Sequence, residues 1–244
     1  MLLCLILDCG PLGPNYQLGH GHCDLLSFEL SLQGKRVIVD TGTSTYEAGI
    51  ERHYERSTAA HNTIRIDGEE QAELWSSYRV GRHPRVGFIQ GGNIGRFPFL
   101  RGEHYAYGRR KVIHCRTVVR QPNDCWIILD YLYGTGSHKL ESFIHLHPAI
   151  QVEQRDFDCL LFSSSDRYLL TAYGVDEFRV RQSYYCPGYG VRQTRAVIQC
   201  SRQGRLPMTL GFILKPAEAA PPKIQFRRDK AVEIDGVVVP LGYV

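Results

Sequence analysis

The 244-residue sequence has no Cys-x-x-Cys pair, no dense run of lysine and arginine, no internal repeat and no low-complexity segment. The first absence removes the zinc-knuckle and dithiol-redox readings of its eight cysteines, Cys4, Cys9, Cys23, Cys115, Cys125, Cys159, Cys186 and Cys200. Most of them flank apolar residues, so buried thiols are expected, and a chain of this size does not need a disulfide framework. The second absence argues against a nucleic-acid partner. The formal charge is only +4, and the basic residues are mostly arginines scattered among aromatics. Arginine offers a planar fork suited to carboxylates, sulfates or phosphates.

Long apolar runs are missing too, so no membrane span is expected. The opening MLLCLILDCGPLG is apolar but short, is interrupted by Asp8, and has neither a basic leader region nor a small-residue cleavage site. It reads as a first strand, LLCLILD. A chain that opens inside a strand is expected to be part of something longer. Extended windows with a 3.6-residue apolar period are also absent, which excludes a helical architecture.

What remains is strand signal. LLSFELSLQGKRVIVDTG reads as two extended runs around a Gln33-Gly34-Lys35 turn, a hairpin. HNTIRIDGEEQ alternates Ile64 and Ile66 with Arg65 and Asp67 and then turns at Asp67-Gly68. KVIHCRTVVRQPNDCWIILDYLYG is a second hairpin turning at Gln121-Pro122-Asn123-Asp124. KLESFIHLHP, DCLLFSSS, RYLLTAYG, EFRVRQSYY, RAVIQCSRQGRLPMTLGFILKP and KAVEIDGVVVPLGYV continue in the same manner. Residues 44–60 read as a long loop with one helical turn. PAEAAPPK, 216–223, is the only linker-like stretch and does not mark a domain boundary. Hydrophobic content of 43% and many short strands imply one all-β domain over 1–244. The expected form is a large antiparallel β-sandwich, supersandwich-like, of two sheets.

The chemistry concentrates in PNYQLGHGHCDLLSFEL, residues 14–30, where His20 and His22 share a Gly-rich loop ahead of Asp24. His22 lies just before a strand, Asp40 just after one, and His61 opens another. In an antiparallel sheet such strand ends can converge. Two imidazoles and a carboxylate make a three-ligand site for Zn²⁺. Each alone has a plainer reading: loop histidines bond backbone, Asp40 can be a turn residue, and His61 a half-buried ring. Residues i and i+2 of an extended segment share a face, so His20 would stand beside the metal without binding it. His104, with Tyr105 and Tyr107, is expected to line a sugar groove or an ordinary exposed loop. His114, His145 and His147 read as rings on a sheet face, and His53, His83 and His138 as solvated loop residues.

The stretch from LDCGPLGPNYQLGHGHCD through VIVDTGTSTYE, RSTAAHNT and DGEEQAELW resembles the C-terminal β-domain of the heparinase II/III-like polysaccharide lyases. The likeness is dense from about residue 6 to 86 and looser through VIHCRTV, WIILDYL and ESFIHLHP. It implies a β-sandwich that works beside an N-terminal α/α toroid, in cis or in trans, with an acidic polysaccharide as substrate. It also implies β-elimination at a uronate, a periplasmic or cell-envelope location, and catalysis by the first histidine of the Gly-His-x-His motif, here His20. The family's metal ligands fall on His22, Asp40 and His61, the trio of strand ends, holding a structural ion. His20 would remove the proton or help hold the carboxylate; both stay open. Asp24 would orient an imidazole or cap the turn into LLSFEL. Tyr16, Arg56 and His104 are assigned to substrate contact.

The sequence departs from the family in having no toroid. The family's catalytic tyrosine and the group that neutralises the carboxylate belong to that toroid, and Tyr16, Tyr46 and Tyr54 do not match the tyrosine. This leaves a domain fragment, a split gene, or a stand-alone module that binds acidic polysaccharide without cleaving it. The chain alone is expected to be nearly inactive.

Overall fold

A computed structural model describes residues 3–164, 166–227 and 230–242. Leu2 of the expected first strand, Ser165 at the end of DCLLFSSS, and Tyr243 and Val244 of the last stretch lie outside them. The strands are β1 (Cys4–Leu7), β2 (Phe28–Leu32), β3 (Lys35–Ile38), β4 (Ile64–Ile66), β5 (Val86–Ile94), β6 (Phe97–His104), β7 (Val112–Gln121), β8 (Cys125–Gly134) and β9 (Ser137–His145). They continue as β10 (Gln151–Arg155), β11 (Asp158–Ser163), β12 (Asp166–Tyr173), β13 (Glu177–Gly188), β14 (Val191–Arg205), β15 (Met208–Pro216), β16 (Ile224–Phe226), β17 (Ala231–Ile234) and β18 (Val237–Pro240). The one α-helix among the described residues, α1 (Ile50–Arg56), occupies the expected long loop and runs further than the single turn foreseen there.

All strand pairings are antiparallel. The expected hairpins form: β2 and β3 turn at Gln33-Gly34, both at positive φ (52° and 77°), as a two-residue hairpin turn demands. β7 and β8 turn through Asn123 and Asp124, likewise at positive φ. The sheets are β1-β2-β3, the eight-stranded β10-β11-β12-β15-β8-β7-β6-β5, the four-stranded β13-β14-β9-β4, and β16-β17-β18. An Ile38–Leu146 bridge ties the first small sheet to the strand end of β9. Together these two sheets face the eight-stranded one. The shared core runs through Phe28, Leu30 and Ile38, Trp126 and Ile128, Ile144, Leu170, Ile198, Phe212 and Leu214.

The sandwich has one more layer than the expected two sheets. The other face of the eight-stranded sheet offers Phe97, Phe99, Val119, Ile127, Leu129 and Ile213, and β17 and β18 cover it with Val232, Ile234 and Val239. Strand β8 is therefore buried on both sides, with Trp126 and Ile128 facing one core and Ile127 and Leu129 the other. That explains why CWIILDYLY is a continuous apolar run instead of an alternating one. The linker-like 216–223 only carries the chain from β15 to this cover.

The eight cysteines are free thiols; Cys4 is exposed, Cys9 half-buried and six are buried. Burial pushes thiols such as Cys23 and Cys159 up to about 12. Among the described residues no helix is long and apolar enough to cross a membrane.

Candidate functional site

The loop that carries His20 and His22 lies between β1 and β2 and is held from below by α1. Two arginines one helical turn apart do this. Arg52 Nη2 donates to the Gly19 carbonyl at 3.4 Å, and Arg56 Nε donates to the Gly21 carbonyl at 3.0 Å. His20 sits between those two carbonyls and is itself exposed. Both arginines are 1% exposed. Gly21 is needed here for space, because a Cβ would stand 2.7 Å from the Leu12 carbonyl oxygen. Further along, Gln71 accepts the Leu25 amide at 2.9 Å and donates to the Leu25 carbonyl at 3.1 Å, fixing the entry to β2.

His22, Asp40 and His61 come together. His61 Nδ1 donates to Asp40 Oδ2 at 2.5 Å, and the His22 and His61 rings are 5.3 Å apart. Asp40 Oδ1 accepts the Gly42 amide at 2.9 Å. Burial would raise Asp40, but the charge and hydrogen bond of His61 hold its carboxyl well below the usual range. Burial would lower His61, and Asp40 raises it above the ordinary value instead. His22 is pushed down to about 3 by burial and by His61, so it is neutral. Arg52 Nη1 lies 3.3 Å from His22 Nε2. A guanidinium can only donate, so Nε2 is the acceptor there and Nδ1 carries the proton. His61 Nε2 is buried with no partner.

That orphan bears on whether the trio fits a metal. A histidine whose Nδ1–H is held by a carboxylate and whose Nε2 is unpartnered has the form of a metal ligand. Two nitrogens and one oxygen also suit zinc. The atoms are nonetheless drawn together by hydrogen bonds: ligands on one tetrahedral zinc would be roughly 3.3 Å apart, whereas His61 Nδ1 and Asp40 Oδ2 are 2.5 Å apart. Among the described residues no three His, Cys, Asp or Glu side chains stand as a metal cage. Asp24 bonds neither imidazole. Its backbone carbonyl accepts the Ser27 amide at 2.8 Å, a turn bond that does not involve the carboxyl, and burial pushes that carboxyl up to about 7.

A frame that the sequence did not announce surrounds the trio. Arg195 of β14, 3% exposed, donates to the Asp40 carbonyl at 3.1 Å and to His145 Nδ1 at 2.7 Å. His145 Nε2 donates to the Ala59 carbonyl at 3.0 Å. Asn62 donates to the carbonyls of Phe28 (2.8 Å) and Val39 (3.1 Å) and accepts the His145 amide at 2.6 Å. Arg116 grips the Leu26 carbonyl at 2.6 Å and the Asn62 carbonyl, and is clamped by Asp130 at 2.7 and 2.9 Å. Burial would raise Asp130, but Arg116 and His114 hold it at about 2.

Of the residues assigned to substrate contact, Tyr16 is 92% exposed in the loop. The other two need correction. His104 lines no groove: it ends β6 at 1% exposure and donates through Nε2 to His114 Nδ1 at 3.0 Å, while its Nδ1 accepts the Ala106 amide. His114 passes the chain on to Asp130 at 2.7 Å. Arg56 is buried and spends its guanidinium on the Gly21 and Ser76 carbonyls, so it supports the loop from inside. His138, expected in solvent, is 8% exposed and bonds Asp67 at 2.7 Å.

Around His20 the structure adds aromatic neighbours. Tyr46 lies edge-on to it at 5.4 Å and Tyr78 at 6.5 Å. Such a face can present an imidazole to a ligand, flanked by rings and backed by buried cations.

Residues 3–227 match the family model described as "Heparinase II/III-like, C-terminal". Among solved structures, the chain is similar to the heparan sulfate lyase HepC from Pedobacter heparinus, at 17% identity over 98% of this chain and 39% of that one, with a TM-score of 0.72. It is also similar to a heparinase III, the BT4657 gene product (18% identity, 96% and 38%, TM-score 0.70). Another heparinase III gives 14% identity, 97% and 38%, and a TM-score of 0.69. The likeness at these identities is one of fold, and the chain spans about two fifths of the length of these proteins. No curated protein sequence matches it significantly.

Proposed function

Because the chain belongs to the heparinase II/III-like C-terminal family, we propose that it is the β-domain of a polysaccharide lyase that cleaves uronate-containing glycans by β-elimination beside an α/α toroid. The observation that carries this reading is the exposed His20, set between two carbonyls that Arg52 and Arg56 hold from within. A proton alpha to a carboxylate is weakly acidic, and its removal needs a positioned base suited to neutral pH, for which imidazole serves. His20 accepts the C5 proton. The C5–H electron pair forms the C4–C5 double bond as the C4–oxygen bond breaks, and the leaving oxygen takes a proton from an acid on the toroid. The toroid also offsets the carboxylate charge, which stabilises the enolate-like charge that builds up as the proton leaves.

His22, Asp40 and His61 would hold Zn²⁺, two ring nitrogens and a carboxylate oxygen being the donor set that supports this, and the ion would replace the proton that His61 Nδ1 now shares with Asp40 Oδ2. The ion would supply a structural crosslink between the His22 loop and the strand ends, not a reaction step. His22 would release Arg52 to join it. From the resemblance to the family we propose a periplasmic or cell-envelope setting.

The test is turnover of heparan sulfate and alginate, followed by absorbance of the unsaturated product. The chain alone is expected to give almost none. With a toroid supplied in trans, activity should appear and His20→Ala should abolish it. Activity that survives His20→Ala would end the proposed role. The exposed tyrosines beside His20 also favour a second reading, a binding module without catalysis. In that case glycan binding persists and no toroid restores turnover.

A further inference from the structure

Three tyrosines that come from separate parts of the chain form a row at His20. Tyr46 follows the strand end at Asp40, Tyr78 lies in the loop before β5, and Tyr189 is the tip of the β13–β14 hairpin. Tyr46 and Tyr78 have ring centroids 6.2 Å apart at 17°, and Tyr46 and Tyr189 are 5.9 Å apart at 22°. At a contact separation of about 3.5–4 Å between planes, centroids this far apart are displaced sideways by roughly 4.5 Å. The rings are therefore tiled, and each leaves part of its face uncovered. Arg52 lies 4.8 Å from the centroid of Tyr46 and is itself buried, so it packs on that ring from the protein side. Exposures of 36% for Tyr46, 51% for Tyr78 and 66% for Tyr189 agree.

The row is built and not accidental. The Gly190 amide donates to the Ser44 carbonyl at 2.8 Å, and Arg192 Nε donates to Ser44 Oγ at 2.8 Å. These bonds tie the hairpin tip to the loop that bears Tyr46. Gly190 has φ +75°, which lets the tip turn there.

We infer that Tyr78, Tyr46 and Tyr189 are a stacking platform on which successive sugar rings of an acidic glycan lie, with His20 at its edge. This rests on the reading that the His20 face meets a glycan. The occupant is a glycan and not an apolar protein surface because the row consists of exposed phenols beside the exposed His20. Neither Arg52 beneath it nor Arg79 beside Tyr78 is in an ion pair among the described residues. Arg52 is buried and spent on the Gly19 carbonyl and His22, so the cation left for an anionic group is the exposed Arg79 beside the aromatic row.

The experiment is titration calorimetry of the purified chain with a heparin hexasaccharide and with an unsulfated alginate hexasaccharide. Tyr78→Ala and Tyr189→Ala are each expected to weaken binding about three- to tenfold, while Tyr189→Phe, which keeps the ring, stays within twofold of the parent. Phe157→Ala, a comparably exposed ring on the β10–β11 turn, is the control and should bind as the parent does. Failure of both hexasaccharides to bind, or parent-like binding by both alanine variants, overturns the platform. So does a loss in Tyr189→Ala of association with a toroid chain while glycan affinity is kept, which would assign the row to a protein contact. Turnover with a toroid and an unchanged KM in both variants rejects the platform and leaves the lyase reading standing. Tyrosine-dependent binding without turnover keeps the platform and rejects the lyase reading.

Discussion

Asn62 is fully buried, and its side chain alone satisfies two carbonyls and one amide on three different segments. Asn62→Ala should therefore cost about 3 kcal/mol, since buried groups stripped of partners carry their whole desolvation penalty. A urea midpoint measurement reads it, and a loss near zero would mean that water replaces the amide. Arg116→Met leaves Asp130 buried without its guanidinium and should cost about 3–5 kcal/mol by the same measurement. Zinc offers a further check at this scale. At a hundredfold excess over its Kd it should stabilise the chelator-treated chain by about 2.7 kcal/mol, and His61→Ala should remove that gain. Zinc that leaves the thermal midpoint unmoved counts against the proposed ligands. His22, Asp40 and His61 were legible because a short motif and strand-end punctuation mark them. Arg195 and Tyr189 carry no such mark. One sits in the strand pattern RAVIQC and the other between two hairpin glycines, and only the pairing of distant strands gives either a role. His104 misled for the converse reason: a polar ring in a polar-aromatic string reads as surface until a partner such as His114 is placed beside it.

The turn after β4 is fastened to β9 by one ion pair, His138 with Asp67, and its dependence on pH follows from two opposite shifts. Burial would lower His138, but Asp67 raises it above its ordinary 6.5. Burial would raise Asp67, but His138 and the Lys139 amide hold it below 3.8. The stabilisation is therefore complete between pH 3.8 and 6.5. It is lost as pH rises through the folded value of His138, and again as pH falls through that of Asp67. The difference in thermal midpoint between the parent and His138→Gln should be largest near pH 5 and shrink above neutrality; a difference that grows with pH would refute the pairing. At this scale the hairpins with Gly and Asn turns were readable. The β5–β6 hairpin was not, because Gly87, Gly91, Gly92, Gly95, Pro98 and Gly102 blur its alternation, and β5 is a largely exposed edge. RAVIQCSRQGRLPMTLGFILKP read as one stretch, yet β14 and β15 belong to different sheets, a division that only packing decides.

For the molecule as a whole, the histidines predict acid sensitivity. Burial is the main influence that lowers His22, His104, His114, His145 and His147. The unfolded chain binds protons at these rings near pH 6.5 while the fold refuses them, so stability declines as pH drops below that value. Asp24, raised to about 7, Asp8, and the raised His61 and His138 oppose this, four groups against five. The thermal midpoint should fall modestly from pH 7 to 5, and a rise over that range would contradict the buried, neutral rings. The all-β class was legible from short strands and turn residues. The number of layers was not, because a doubly buried strand looks like any apolar run. That third layer sets a limit on trimming the protein. A chain cut after Pro216 would keep His20, the tyrosine row and every residue of the trio, yet the wall of Phe97, Val119, Ile127 and Leu129 would be left wet. Such a shortened product should scatter light and sediment, stripped of a coat that never touches the working face.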